Sequence, residues 1–131
     1  MKLGPLQKAW VAALRAHPER QIKGRLGRGT PTNYQACCLG ELHLCHHRLK
    51  HERLPFNENG RIIDQLNNAS AVGTLVYSFE KYGLRGNSAP LKSKTLNGNK
   101  SLVDANDQGE TWDKIADFIE KYPEEVFAKS V

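Results

Sequence analysis

Four histidines, His43, His46, His47 and His51, fall within nine positions of the sequence, with Cys45 among them. On a helix, positions 43, 47 and 51 are one turn apart and their imidazoles share a face. That is the spacing by which two helical histidines grip one zinc ion. Cys38 and Cys45 would point roughly 100° away from that face and could not easily join it. A closed zinc site needs a further ligand from elsewhere, and only His17 remains. His43, His47 and His51 are therefore metal candidates, while a histidine-rich polar helix face accounts for the pattern with no metal. No cofactor is expected.

Cysteine catalysis requires a depressed thiol pKa and a nearby base. Cys37 and Cys38 have histidines close by in sequence, but adjacent residues on a helix face different ways. At its spacing to Leu42 and Cys45, Cys38 reads as a small buried hydrophobe. Three cysteines in one short segment do not form a secreted disulfide framework, so reduced thiols are expected. Asp107 and the acids around Glu110, Asp113 and Asp117 read as turn and helix-end residues, with Asn106, Asp107 and Gly109 shaping a turn.

The most suggestive segment for binding is Lys23-Gly-Arg-Leu-Gly-Arg-Gly-Thr30. Glycines let backbone approach an anion closely, and Lys23, Arg25 and Arg28 supply charge-assisted donors. Tyr34 is the aromatic nearest to them. The segment matches neither the Walker pattern nor the dinucleotide fingerprint. An ordinary mobile loop is the competing account.

These residues must be positioned by a chain of 131 residues, enough for one domain and no second core. Residues 1–54 carry ten Lys or Arg against three Glu, and residues 55–131 carry nine against eleven acids. The basic first half would meet phosphate, nucleic acid or an acidic partner protein, or is simply a solvated face. No apolar run approaches the ~18 residues of a membrane span, and the N-terminal stretch lacks a signal-peptide pattern. No membrane partner and a cytoplasmic location are expected.

Gly4-Pro5 opens a helix carrying Leu6, Trp10, Ala13 and Leu14 on one stripe, and Pro18 ends it. Residues 20–33, with three glycines and four basic residues, read as a short extended piece followed by a flexible loop. Residues 34–50 predict a central helix with the stripe Tyr34, Cys38, Leu42, Cys45 and Leu49. Gly40 inside it costs about 1 kcal/mol relative to alanine, which implies close packing there. Residues 54–64 read as a hairpin turning at Asn59-Gly60. Residues 67–70 read as a linker, residues 74–82 as a helix closed by Gly83, and residues 86–100 as a long polar loop. Residues 101–105 predict a helical turn. Thr111 then caps a last helix with Trp112, Ile115, Ala116, Ile119 and Tyr122, and Pro123 opens a final turn on which Val126 and Phe127 pack back. The expected fold is α+β, a predominantly helical single domain with a small β-hairpin.

The order of motifs carries a resemblance. An early Trp and Leu helix precedes Lys23-Gly-Arg-Leu26, then Cys37-Cys-Leu-Gly40 and Gly83-Leu84. Ser101-Leu-Val-Asp-Ala-Asn-Asp-Gln-Gly109 and a helix with Ile115-Ala116 follow. Over about residues 6–121 this order is similar to a family of small proteins encoded by tailed phages and prophages. The chain departs from that pattern where His43 stands in place of a further cysteine, and in its histidine cluster. The resemblance implies a genetic context and assigns no catalytic residue.

The expected function is a non-enzymatic phage-type accessory protein that binds a host protein in the host cytoplasm, in host takeover or counter-defence. The alternatives are a binder of a nucleotide or nucleic acid through Lys23, Arg25, Arg28 and Tyr34, and a minor virion component. A metal-dependent enzyme ranks last.

Overall fold

The computed structural model describes residues 1–63 and 81–131. Helix α1 (Pro5–Ala16) starts where proline is tolerated at the first helical position, and it stops two residues before Pro18. Gly4 is its N-cap, and the buried Gln7 side chain reaches back to accept from the Gly4 amide at 2.9 Å. A 3-10 turn, Pro18–Arg20, follows. Strands β1 (Gly27–Thr30) and β2 (Asn33–Ala36) then form an antiparallel hairpin, with Gly27 opposite Ala36 and Thr30 opposite Asn33. Helix α2 (Cys38–Leu49) runs straight out of β2. Helices α3 (Leu102–Asp107), α4 (Trp112–Lys121) and α5 (Pro123–Val126) complete the described elements. The fold is α+β and mostly helical.

One apolar cluster unites them. Trp10 and Leu14 of α1, Leu42 and Leu44 of α2, Ile115 and Ile119 of α4, and Phe127 are all buried in it. α1 packs against both α2 and α4, and full burial of each such side chain contributes about 1.5–3 kcal/mol. The α4 pattern is cleanly amphipathic: Trp112, Ile115, Ala116 and Ile119 are inside while Asp113, Asp117 and Glu120 are exposed. Ser101 and Thr111 cap α3 and α4 by accepting from the amides of Asp104 and Lys114. Val126 and Phe127 are buried as expected.

Several local expectations are corrected. The stretch expected to end in a flexible loop holds the hairpin, because Gly27 and Gly29 occupy its inward positions. A Cβ at Gly27 would meet the Ile62 side chain at 2.2 Å, and one at Gly29 would meet the Asn33 carbonyl at 2.4 Å and the Tyr34 backbone at 2.7 Å. The helix expected from residue 34 begins at Cys38, since Tyr34 and Ala36 alternate inward along β2. Leu49, placed on the buried stripe, is 47% exposed at the helix end. Of the hairpin expected over residues 54–64, the described part is a turn with one bridge, Phe56 to Ile62, and Gly60 alone takes the positive φ. Its returning limb adds to the free edge of β1, through Gly29 N–H to Gly60 O at 2.7 Å and Ile62 N–H to Gly27 O at 3.1 Å. α3 extends through Asn106 and Asp107, which were expected to lie in a turn.

Gly40 does sit at a close approach: a Cβ there would lie 2.0 Å from the Leu26 carbonyl oxygen. The polar loop is tethered by the buried carboxylate of Glu125, which accepts from the amides of Ser93 at 2.7 Å and Lys94 at 2.6 Å. Gly83 has φ +77°, as a helix-closing residue would. The linker over residues 67–70 and nearly all of the helix over residues 74–82 fall outside the described residues.

Candidate functional site

The residues singled out in the sequence separate into a buried knot and an exposed basic face. The knot centres on Asn106, which is fully buried. Its Oδ1 receives the Cys38 amide at 3.2 Å, the Trp112 indole N–H at 3.2 Å and the Gln21 side chain at 3.1 Å. Its Nδ2 donates to the Ile22 carbonyl at 2.8 Å. Asp107 accepts from the Gly24 amide at 3.0 Å, and the Cys37 amide donates to the Leu26 carbonyl at 3.1 Å. The Lys23-Gly-Arg-Leu, Cys-Cys-Leu-Gly and Asn-Asp-x-Gly segments thus lock one another together.

The thiols belong to this interior. Cys37 is the α2 N-cap, its Sγ accepting from the Gly40 amide at 3.3 Å, and burial pushes its pKa up to about 12. Burial raises Cys38 as well, and pushes Cys45 up to about 12. All three are free and buried, the reverse of an activated nucleophile.

The histidine face is not a solvated one. His43 is 4% exposed, with Nδ1 against the Tyr82 hydroxyl and Nε2 at 2.8 Å from the Ile63 carbonyl oxygen. Burial lowers its pKa to about 4, and with both ring nitrogens engaged it has none left for a metal. His47 stacks edge-on to it, with ring centroids 4.9 Å apart. His51 lies beyond the end of α2 at φ +55°, off the shared face, because the helix stops at Leu49. Among the described residues no group of three or more His, Cys, Asp or Glu could hold a metal ion.

The basic face is built on the hairpin. With Gly29 N–H to Gly60 O on one side and Ile62 N–H to Gly27 O on the other, Arg28 and Arg61 are a non-hydrogen-bonded antiparallel pair. In that arrangement Cα atoms stand about 4.5 Å apart and the side chains share a face. Both arginines are exposed. Arg28 donates to the Gln35 amide oxygen at 3.2 and 3.1 Å, and among the described residues neither arginine has an acidic partner. Directly opposed like charges cost about 0.2–1 kcal/mol.

Beside them is an open hollow of about 710 Å³, bordered by Arg20, Arg28, Asn33, Tyr34 and Gly60. Glu19 reaches its rim, where its carboxylate lies 3.2 Å from His17 Nδ1.

Of the four predicted ligand residues, Arg28 and Tyr34 border the hollow. Lys23 and Arg25 are exposed in the preceding segment and do not join it, because the Asp107–Gly24 bond holds that segment at the α3 end. Tyr34 is 4% exposed, so its ring offers no stacking surface. Its hydroxyl instead donates to Glu41 at 2.6 Å and accepts from Arg20 at 2.9 Å and Arg48 at 2.5 Å. Burial and the Glu41 bond push its pKa up to about 12. Arg48 also reaches Glu41 at 3.1 Å.

Arg20, Glu41, Arg48 and Arg61 were missed from sequence. For Glu41 a signal existed: it falls three residues after Cys38 and four before Cys45, on the buried face, with Arg48 two turns further along. Arg61 carried none, because its pairing with Arg28 is made only when two distant turns meet.

Among the described residues no helix is long and apolar enough to cross a membrane. No family model, curated protein or solved structure matches the chain.

Proposed function

We propose that the protein is a non-enzymatic binding protein that receives an acidic segment of a partner protein on its hairpin face. The observation that carries this reading is the Arg28–Arg61 pair, two exposed like charges held side by side with no acidic partner among the described residues. A fold that keeps such a pair gives up stability that an incoming carboxylate restores. Among the described residues the three thiols are buried, His43 is bonded at both nitrogens, and Glu41 is paired. A nucleotide suits the hollow less well, because Tyr34 presents no ring for a base to stack on. The resemblance to small phage and prophage proteins makes a host protein the expected partner, with host takeover or counter-defence as the consequence.

The test is a titration of ¹⁵N-labelled protein with a Glu-rich peptide, with ATP and with a short oligothymidylate. The peptide is expected to move the amides of residues 27–35 and 59–62, and Arg28→Glu with Arg61→Glu to remove the response. Tighter binding of ATP or of the oligonucleotide, or a peptide response that survives both substitutions, would reject the acidic-partner reading.

A further inference from the structure

A second hollow, of about 500 Å³, shares Arg20 with the first. It is lined by alanines of α1, His17, Arg20, Pro31 at the hairpin turn, and Glu41 and Arg48 of α2. Its chemistry is set by a cluster of one carboxylate and two guanidinium groups. Glu41, with no exposed surface, accepts from Tyr34 at 2.6 Å on one oxygen and from Arg48 at 3.1 Å on the other. Tyr34 in turn receives Arg48 at 2.5 Å and Arg20 at 2.9 Å, so its proton and lone pairs are all in use. One negative charge is thus set against two positive ones.

A guanidinium carries five N–H donors. Within the described residues Arg20 commits one N–H to a hydrogen bond, while Arg48 commits one to Glu41 and one to Tyr34. Arg20 also lies over the Tyr34 ring, 4.4 Å from its centroid, which fixes the plane of its fork. The rest of the wall is three alanines of α1, Ala12, Ala13 and Ala16, with Pro31 and the His17 ring, whose Nδ1 lies 3.2 Å from the Glu19 carboxylate.

We infer that this hollow is a binding site for a small carboxylate with a short aliphatic body. The single excess positive charge is cancelled by a monoanion, whereas a phosphate dianion would overshoot it and sit close to Glu41. Planar guanidinium forks match a planar carboxylate, and the alanine and proline wall takes up methylene groups at no polar cost. Tyr34 and Glu41 are positioning residues here. They hold the two arginines at the edge of the hollow and neutralise part of their charge.

The test uses butyrate as probe, titrated into ¹⁵N-labelled protein at constant ionic strength, with inorganic phosphate in parallel. Butyrate is expected to shift the amides of Ala13, Ala16 and Arg20 saturably, and phosphate not to. Arg48 is a poor first target, because its loss would strand the buried Glu41 charge and threaten the fold. Arg20→Gln leaves the Tyr34–Glu41–Arg48 bonds in place and should weaken butyrate about tenfold, the loss of one charge-assisted contact. Ala16→Leu, at an exposed position of α1, should fill the hollow and abolish the response. Arg28→Glu should leave it unchanged, which separates this site from the hairpin face. Shifts that fail to saturate, that persist in both the Arg20 and Ala16 variants, or that phosphate reproduces would overturn the assignment.

Discussion

Replacing Asn106 with alanine removes the centre of the buried knot and tests whether it holds the hairpin to the helices. The substitution takes an acceptor away from the Cys38 amide and the Trp112 indole, and a donor away from the Ile22 carbonyl. Gln21 keeps one partner, the Glu110 carbonyl at 2.6 Å. Two buried groups and the part-buried Ile22 carbonyl therefore lose this partner, at about 1–3 kcal/mol for each that stays unpaired. A water entering the vacated space can satisfy two of them and lower the total. The expected loss is about 4 kcal/mol, a large share of the roughly 5–15 kcal/mol that stabilises a domain. Urea unfolding followed through Trp10 and Trp112 fluorescence reads it directly. With a slope of about 2 kcal/mol/M, the midpoint should fall by about 2 M. The Trp112 indole N–H resonance should also leave its hydrogen-bonded position. A loss under about 1 kcal/mol, with that resonance unmoved, would refute the claim that Asn106 couples these segments.

Gly40→Ala should destabilise by about 1–3 kcal/mol or more, because the added methyl is driven into the Leu26 carbonyl and must push the residue leading into β1 away from α2; thermal unfolding measures it. Stability should also depend on pH through His43. Its folded pKa is lowered to about 4 from a usual value near 6.5, so the unfolded chain binds more protons between those values. The His43 contribution is then complete above about pH 6.5 and is lost as pH drops toward 4, by about 3 kcal/mol, with the lowered His46 and His47 adding in the same direction. His43→Gln should shrink the difference between urea midpoints at pH 5 and pH 7. Cys37, Cys38 and Cys45 should resist a thiol-reactive disulfide reagent at pH 8 in the native protein, and all three should react in urea.

The sequence alone determined whatever depends on near neighbours along the chain. Helical spacing of Leu6, Trp10 and Leu14 and of Trp112, Ile115 and Ile119 fixed α1 and α4, and Gly4-Pro5 and Thr111 marked where they start. Gly40 announced a close contact without naming its partner. Glycines were misread where their reason lay at a distance. Gly27 and Gly29 look like loop residues until Ile62 and Tyr34 are seen packing against them. Histidines 43 and 47 look like a polar face until Ile63 and Tyr82 cover the first of them. Only the tertiary structure could set Arg61 beside Arg28, bring Arg20 and Arg48 onto one tyrosine hydroxyl, and converge three separate motifs on Asn106. Those pairings span from 14 to more than 80 residues of chain. Local propensity carries no information about which distant groups meet; burial of a shared core decides that, and the polar groups caught inside it must then satisfy one another.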